Sequence, residues 1–159
     1  MKILKHILTP ILIFLLAVPW AWADVEDESD TSMTVPGVRS LTLDQQSLHF
    51  EPTIEEMING WTQQKPIIAR VSANVGWVLT VRGSSELWEA PWSKPVTDLY
   101  WKYDGGEYAP LTTDVVEIVS GGPCNQHTFP VHFMVKLDLE KDVPGEYYYN
   151  YIVFELAAP

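Results

Sequence analysis

From residue 39 onward, apolar and polar positions alternate with a period of two, the spacing of half-buried strands. Leu41 and Leu43 share one face, and Leu48 and Phe50 follow a polar break at Asp44-Gln45-Gln46. Ile67 to Ala73 resumes the alternation, Asn74-Val75-Gly76 marks a turn, and Trp77, Leu79 and Val81 share a face of the next strand. Leu99, Trp101 and Tyr103 alternate with Tyr100 and Lys102 ahead of Asp104-Gly105-Gly106, a hairpin turn in which glycine is free to take positive φ. Val115 to Val119 is a short β-branched run. The clearest half-buried strand runs through Phe129, Val131, Phe133, Val135 and Leu137, whose neighbours are Pro130, His132, Met134 and Lys136.

A final strand is predicted from Tyr147 to Leu156, after the turn Asp142-Val143-Pro144-Gly145. Tyr148, Ile152, Phe154 and Leu156 fall on one face and Tyr147, Tyr149, Tyr151 and Val153 on the other. Apolar or aromatic residues on both faces predict a central strand with a partly exposed tyrosine face. Helical signals are sparse. Thr53-Ile54-Glu55-Glu56 has the Thr-x-x-Glu form of a capping box and Gly60 is a suitable stop, so one or two helical turns, or an irregular loop, fit there. Arg82 to Pro95 has no clear period. Seven or eight short strands separated by turns predict an all-β fold, an antiparallel immunoglobulin-like β-sandwich spanning residues 38–159.

The first residues have a different pattern. Lys2 and Lys5 precede the apolar run Ile7 to Val18, and Ala21-Trp22-Ala23 offers small residues before Asp24. This is the layout of a secretory signal peptide over residues 1–23. The run is shorter than the about 20 apolar residues that a membrane span needs. Export to the periplasm, the cell surface or the medium is therefore expected, with no membrane span after cleavage. Asp24 to Gly37 places five acids in its first seven residues and lacks apolar periodicity, which predicts a flexible acidic leader. A tether or donor segment that orders on a partner is the alternative, with Val35 and Val38 as its apolar anchors.

Removing 23 of the 159 residues leaves 136, enough for one domain with its own core. That remainder holds eight of the ten Lys and Arg and all 21 Asp and Glu, a formal charge of −13. Such a surface repels phosphate backbones and anionic lipid headgroups, which disfavours nucleic acid and membrane partners. Cys124 is the only cysteine, so no internal disulfide is possible. Its readings are a small half-buried hydrophobe, an intermolecular disulfide or a reactive thiol, in that order.

Two stretches resemble bacterial cell-surface β-sandwiches of the WxL type. Val71-Ser72-Ala73-Asn74-Val75-Gly76-Trp77-Val78-Leu79-Thr80-Val81 is similar to the strand-turn-strand that carries that family's Trp-x-Leu motif. Pro144-Gly145-Glu146-Tyr147, leading to Ile152-Val153-Phe154-Glu155-Leu156, is similar to its closing strand. The place of a second Trp-x-Leu holds Phe154-Glu155-Leu156 instead. The resemblance covers about a third of the chain beyond residue 23. It implies a sandwich architecture and attachment at the cell wall.

Candidate chemistry is thin. Cys124-Asn125-Gln126-His127, in a loop opened by Gly121-Gly122-Pro123, supplies two metal-capable side chains where a closed zinc site takes four. The same pair lacks a third group as a nucleophile dyad. No metal, cofactor or catalytic residue is assigned, and a small secreted hydrolase is the least favoured reading. Aromatics are denser: Trp88, Trp92, Tyr100, Trp101, Tyr103 and Tyr108 lie within 21 residues. Exposed, they would stack on sugars or anchor a protein; buried, they would close the ends of a core without a disulfide. Trp88, Trp92, Trp101, Tyr103 and Tyr108 are the candidate binding residues, with Trp88 and Trp92 the tryptophans expected to be most exposed. The expected function is that of an exported, non-catalytic structural or interaction module of the cell envelope or extracellular surface. Its partner would be an envelope or cell-surface protein, or a polysaccharide. The alternative is a carbohydrate-binding module.

Overall fold

The structure, a computed structural model, describes residues 32–89, 93–143 and 148–159. The chain divides into two compact units, Met1–Thr34 and Val35–Pro159. The segment read as a signal peptide and the first residues of the expected acidic leader lie outside the described residues, as do Trp92 and the turn Pro144-Gly145.

The second unit is an antiparallel β-sandwich with eight strands among the described residues, as the alternation predicts. The strands are β1 (Arg39–Leu43), β2 (Lys65–Ala73), β3 (Trp77–Gly83), β4 (Leu99–Tyr103), β5 (Ala109–Pro110), β6 (Val116–Gly121), β7 (Cys124–Val135) and β8 (Ile152–Ala157). One sheet has the order β1-β2-β7-β4-β5 and the other β6-β3-β8. Between them lie the inward residues of both sheets. Ile67, Val81, Leu99, Trp101, Val131 and Phe133 belong to one cluster. Ala69, Val71, Ala73, Trp77, Leu79 and Phe129 form the other. The small Ala69 and Ala73 on β2 leave room for the Trp77 and Phe129 rings, whose centroids are 5.4 Å apart. Trp77 is 2 % exposed and donates its indole N–H to Gly122 O at 2.7 Å.

The capping box folds as read. Helix α1 (Ile54–Asn59) starts where the Thr53 hydroxyl accepts from Glu56 N–H and the Glu56 carboxylate accepts from Thr53 N–H. It ends at Gly60, whose φ of 79° is the left-handed backbone glycine adopts without strain. At the 104–106 turn the positive φ falls on Asp104, at 49°, and on neither glycine. Aspartate tolerates that region better than most side chains.

Two expectations are corrected. The last strand is at an edge: β3 is central to its sheet, β8 pairs only with β3 among the described strands, and regular pairing begins at Ile152. Its two-sided apolar character has another origin. Tyr149 and Tyr151 stay 58 % and 67 % exposed, while Ile152 and Phe154 turn toward the interior. The second correction concerns Cys124 to His127, which begin β7 rather than form a loop. The β2–β7 register shifts between Val71 and Ala73, with Gln126 at a φ of 51° and its N–H donating to Ser72 Oγ at 2.9 Å. The extra residue is a bulge, and it breaks the period that would have marked these residues as strand.

Candidate functional site

The predicted aromatics do not form one surface. Trp101 is 8 % exposed and belongs to the core, so its ring is no platform for a ligand. Tyr103 is half-buried on the same inner face, 6.1 Å from the Phe129 ring. Tyr108 lies on the other side of the five-stranded sheet. Its hydroxyl donates to Gln64 Oε1 at 2.6 Å, the Lys102 ammonium sits 4.7 Å from its ring centre, and burial raises its pKa. Trp61, which the sequence reading did not single out, packs edge-on against Tyr100 at 5.0 Å.

Trp88 is half-buried, whereas Trp77 and Trp101 are buried. The β3–β4 connection doubles back on itself: Val96 N–H donates to Glu86 O and Trp88 N–H to Lys94 O. Trp88 thereby leans on the core, with its indole N–H donating to Pro95 O at 3.0 Å. The same connection buries Lys94, whose side chain is 6 % exposed. Its ammonium donates to both Asp142 oxygens, at 2.9 and 2.8 Å, and to Lys136 O at 3.0 Å, and it pairs with Asp98 at 3.2 Å. Asp142 accepts in addition from Asp138 N–H at 2.9 Å. One cation thus fastens the β3–β4 connection to the end of β7 and to the segment leading into β8.

These elements border a cavity of about 910 Å³, near the upper end of the ~300–1,000 Å³ typical of ligand sites. It lies where β1 and β8, edge strands of opposite sheets, face each other. Leu43, Ile67, Leu99 and Val135 form its floor on the five-stranded sheet, and Ile152 and Phe154 its wall on the three-stranded sheet. The loop after β1 contributes Leu48 and Phe50, and Trp88 and Lys94 contribute from the β3–β4 connection. The walls are mostly apolar, and the buried cation among them is already matched by two carboxylates.

Sequence reasoning missed this site because its parts are far apart in the chain and individually ordinary. Leu48, Phe50, Ile152 and Phe154 read as core, and a single Lys94 in a Pro-containing connection carries no motif. Among the described residues, no three His, Cys, Asp or Glu side chains are grouped to hold a metal ion. Cys124 is half-buried with its thiol 3.5 Å from Val71 O, and the His127 ring stacks on Phe129 at 4.7 Å. No protein-family model matches the chain, and no curated protein is similar to it at a significant level.

Proposed function

We propose that this protein is an exported, non-catalytic interaction module of the cell envelope or extracellular surface, and that it holds an envelope or cell-surface protein. One observation carries the reading: the side of the sandwich between β1 and β8 is an apolar cavity of about 910 Å³ bordered by strand edges. Apolar surface left open in a folded domain marks a place of contact. The signal-peptide layout and the resemblance to WxL-type surface domains support an exported location. Sugar stacking has less support, because Trp101 is in the core and Trp88 and Tyr108 direct their polar atoms to protein groups.

The test is retention of the immobilised chain's partners from solubilised envelope, beside a panel of cell-wall and plant polysaccharides. The reading expects saturable retention of an envelope protein, destroyed by protease and indifferent to glycosidase. Saturable binding to a polysaccharide that Trp88→Ala abolishes would replace it with the carbohydrate-binding alternative.

A further inference from the structure

Hydrogen-bond direction along β8 shows what its free edge offers. Ser84 N–H donates to Tyr151 O at 2.9 Å, and Val153 and Glu155 lie opposite Arg82 and Thr80 in the same phase. In an antiparallel ladder a residue sends its N–H and C=O to the same side. Tyr151, Val153 and Glu155 therefore address β3, while the backbone groups of Ile152, Phe154 and Leu156 point to the outer edge. Among the described residues no strand pairs there. On β1, Asp44 N–H donates to Ile68 O and Asn74 N–H to Val38 O, which sets the even-numbered residues toward β2. The backbone of Leu41 and Leu43 points to the free edge of its own sheet. The two edges lie on one side of the sandwich, and β1 and β8 come close to each other.

The cavity adjoins both edges, with Leu43 of β1 and Ile152 and Phe154 of β8 in its wall. Eight consecutive residues, Gln45 to Pro52, border it on one side and five, Tyr148 to Ile152, on another. A sheet of three strands covers a sheet of five, and the cavity is lined by Ile152 and Phe154 of the edge strand β8.

We propose that this cavity accepts an extended segment of a partner protein, laid beside Ile152 and Phe154 of β8 as an added strand, with apolar side chains at alternate positions and neutral or basic residues between them. This rests on the interaction-module reading and names its binding mode. An extended backbone presents N–H and C=O at the spacing β8 requires, which is how added strands bind sheet edges. A lipid tail would fill the apolar space but leave the groups of Ile152 and Phe154 without partners, a costly arrangement once water is excluded. Charge narrows the class. Lys94, the buried cation, is matched by Asp142 and Asp98, and the chain carries a net −11. Among the described residues of the cavity wall, Lys94 is the one Lys or Arg side chain, so an acidic segment or a fatty-acid carboxylate would find no unmatched Lys or Arg there.

The probe is a mixture of end-capped hexapeptides with Val, Ile, Leu or Phe at positions one, three and five and Thr or Lys between. A matched mixture is N-methylated at the apolar positions, whose amides would face Ile152 and Phe154. Amide hydrogen exchange is followed on the full chain. The first mixture should slow exchange at Ile152 and Phe154 by about tenfold when roughly nine molecules in ten are occupied, and the methylated mixture should not. Leu48→Glu, in the cavity wall, should abolish the slowing with an unchanged circular dichroism spectrum. Should that variant fold poorly, Ser47→Trp in the same wall takes its place. No slowing with the first mixture, or equal slowing with both, overturns the proposal. So does dodecanol shifting Trp88 fluorescence when the peptides do not, which would make the cavity a small-molecule site. If retention of an envelope protein persists in Leu48→Glu, the strand-acceptor claim alone fails. If the wild-type chain retains no protein, the interaction-module reading fails with it.

Discussion

Trp77 and Gly121 form a reciprocal pair whose energetics test the packing of the whole interior. Trp77 is 2 % exposed, and a Cβ built on Gly121 would stand 2.8 Å from Trp77 Cζ2, inside van der Waals contact. Gly121 is therefore glycine because the indole lies against it. Trp77→Ala should destabilise by about 3–5 kcal/mol, the range for removing a large buried aromatic. Gly121→Ala should cost about 1–3 kcal/mol by overpacking. In the double variant the space vacated by the indole accepts the new methyl group, so the Gly121→Ala penalty should nearly vanish and the cycle should show about 1–2 kcal/mol of coupling. Val78→Thr, half-buried on the opposite face, should lose less than about 1 kcal/mol. Urea unfolding of the four variants and wild type, followed by far-ultraviolet circular dichroism, reads all of these. Additive losses in the double variant, or equal losses at Trp77 and Val78, would refute the packing described.

Lys94→Met should destabilise by about 3 kcal/mol because it strands Asp142 in a site where that side chain is 11 % exposed; adding Asp142→Leu should recover most of the loss in the same urea assay. The Glu56 carboxylate is held below its ordinary pKa by the backbone N–H groups of Thr53 and then Gln63. Its contribution is therefore complete above about pH 4.3 and fades as pH falls through the lowered folded-state value. The protection of the Thr53 and Gln63 amides, relative to their intrinsic exchange rates, should fall in that acid range, and Glu56→Gln should remove this pH dependence of protection. Cys124→Ser should leave stability within about 0.5 kcal/mol and the mass on non-reducing gels unchanged; a reduction-sensitive dimer of the wild-type chain would contradict this.

What could be read from the sequence is what depends on local period. Phe129 through Val135 and Trp77 through Val81 alternate without interruption, and those residues occupy the sandwich interior. The helix was legible because Thr53, Glu56 and Gly60 each do one local job that their side chains or backbone permit. Elsewhere a long-range arrangement decides the outcome. The β7 bulge at Gln126 breaks the period and disguises Cys124 to His127 as a loop. Strand order is not encoded in alternation, so a strand apolar on both faces reads as central although it lies at an edge beside a cavity. Trp88 looks loose in the sequence because the bonds that seat it come from a reversal of the backbone at Glu86 to Val96. The buried Lys94 and its aspartates come together only through tertiary folding.

The most direct test of the central claim is photo-crosslinking from the cavity wall in the native envelope. A benzophenone side chain at Leu48 should attach the chain to one envelope or surface protein, through an extended segment with apolar residues at alternate positions. The same group at exposed Glu107 should not yield that product. Attachment at Leu48 to lipid or polysaccharide alone, or equal protein attachment from both positions, would contradict the account.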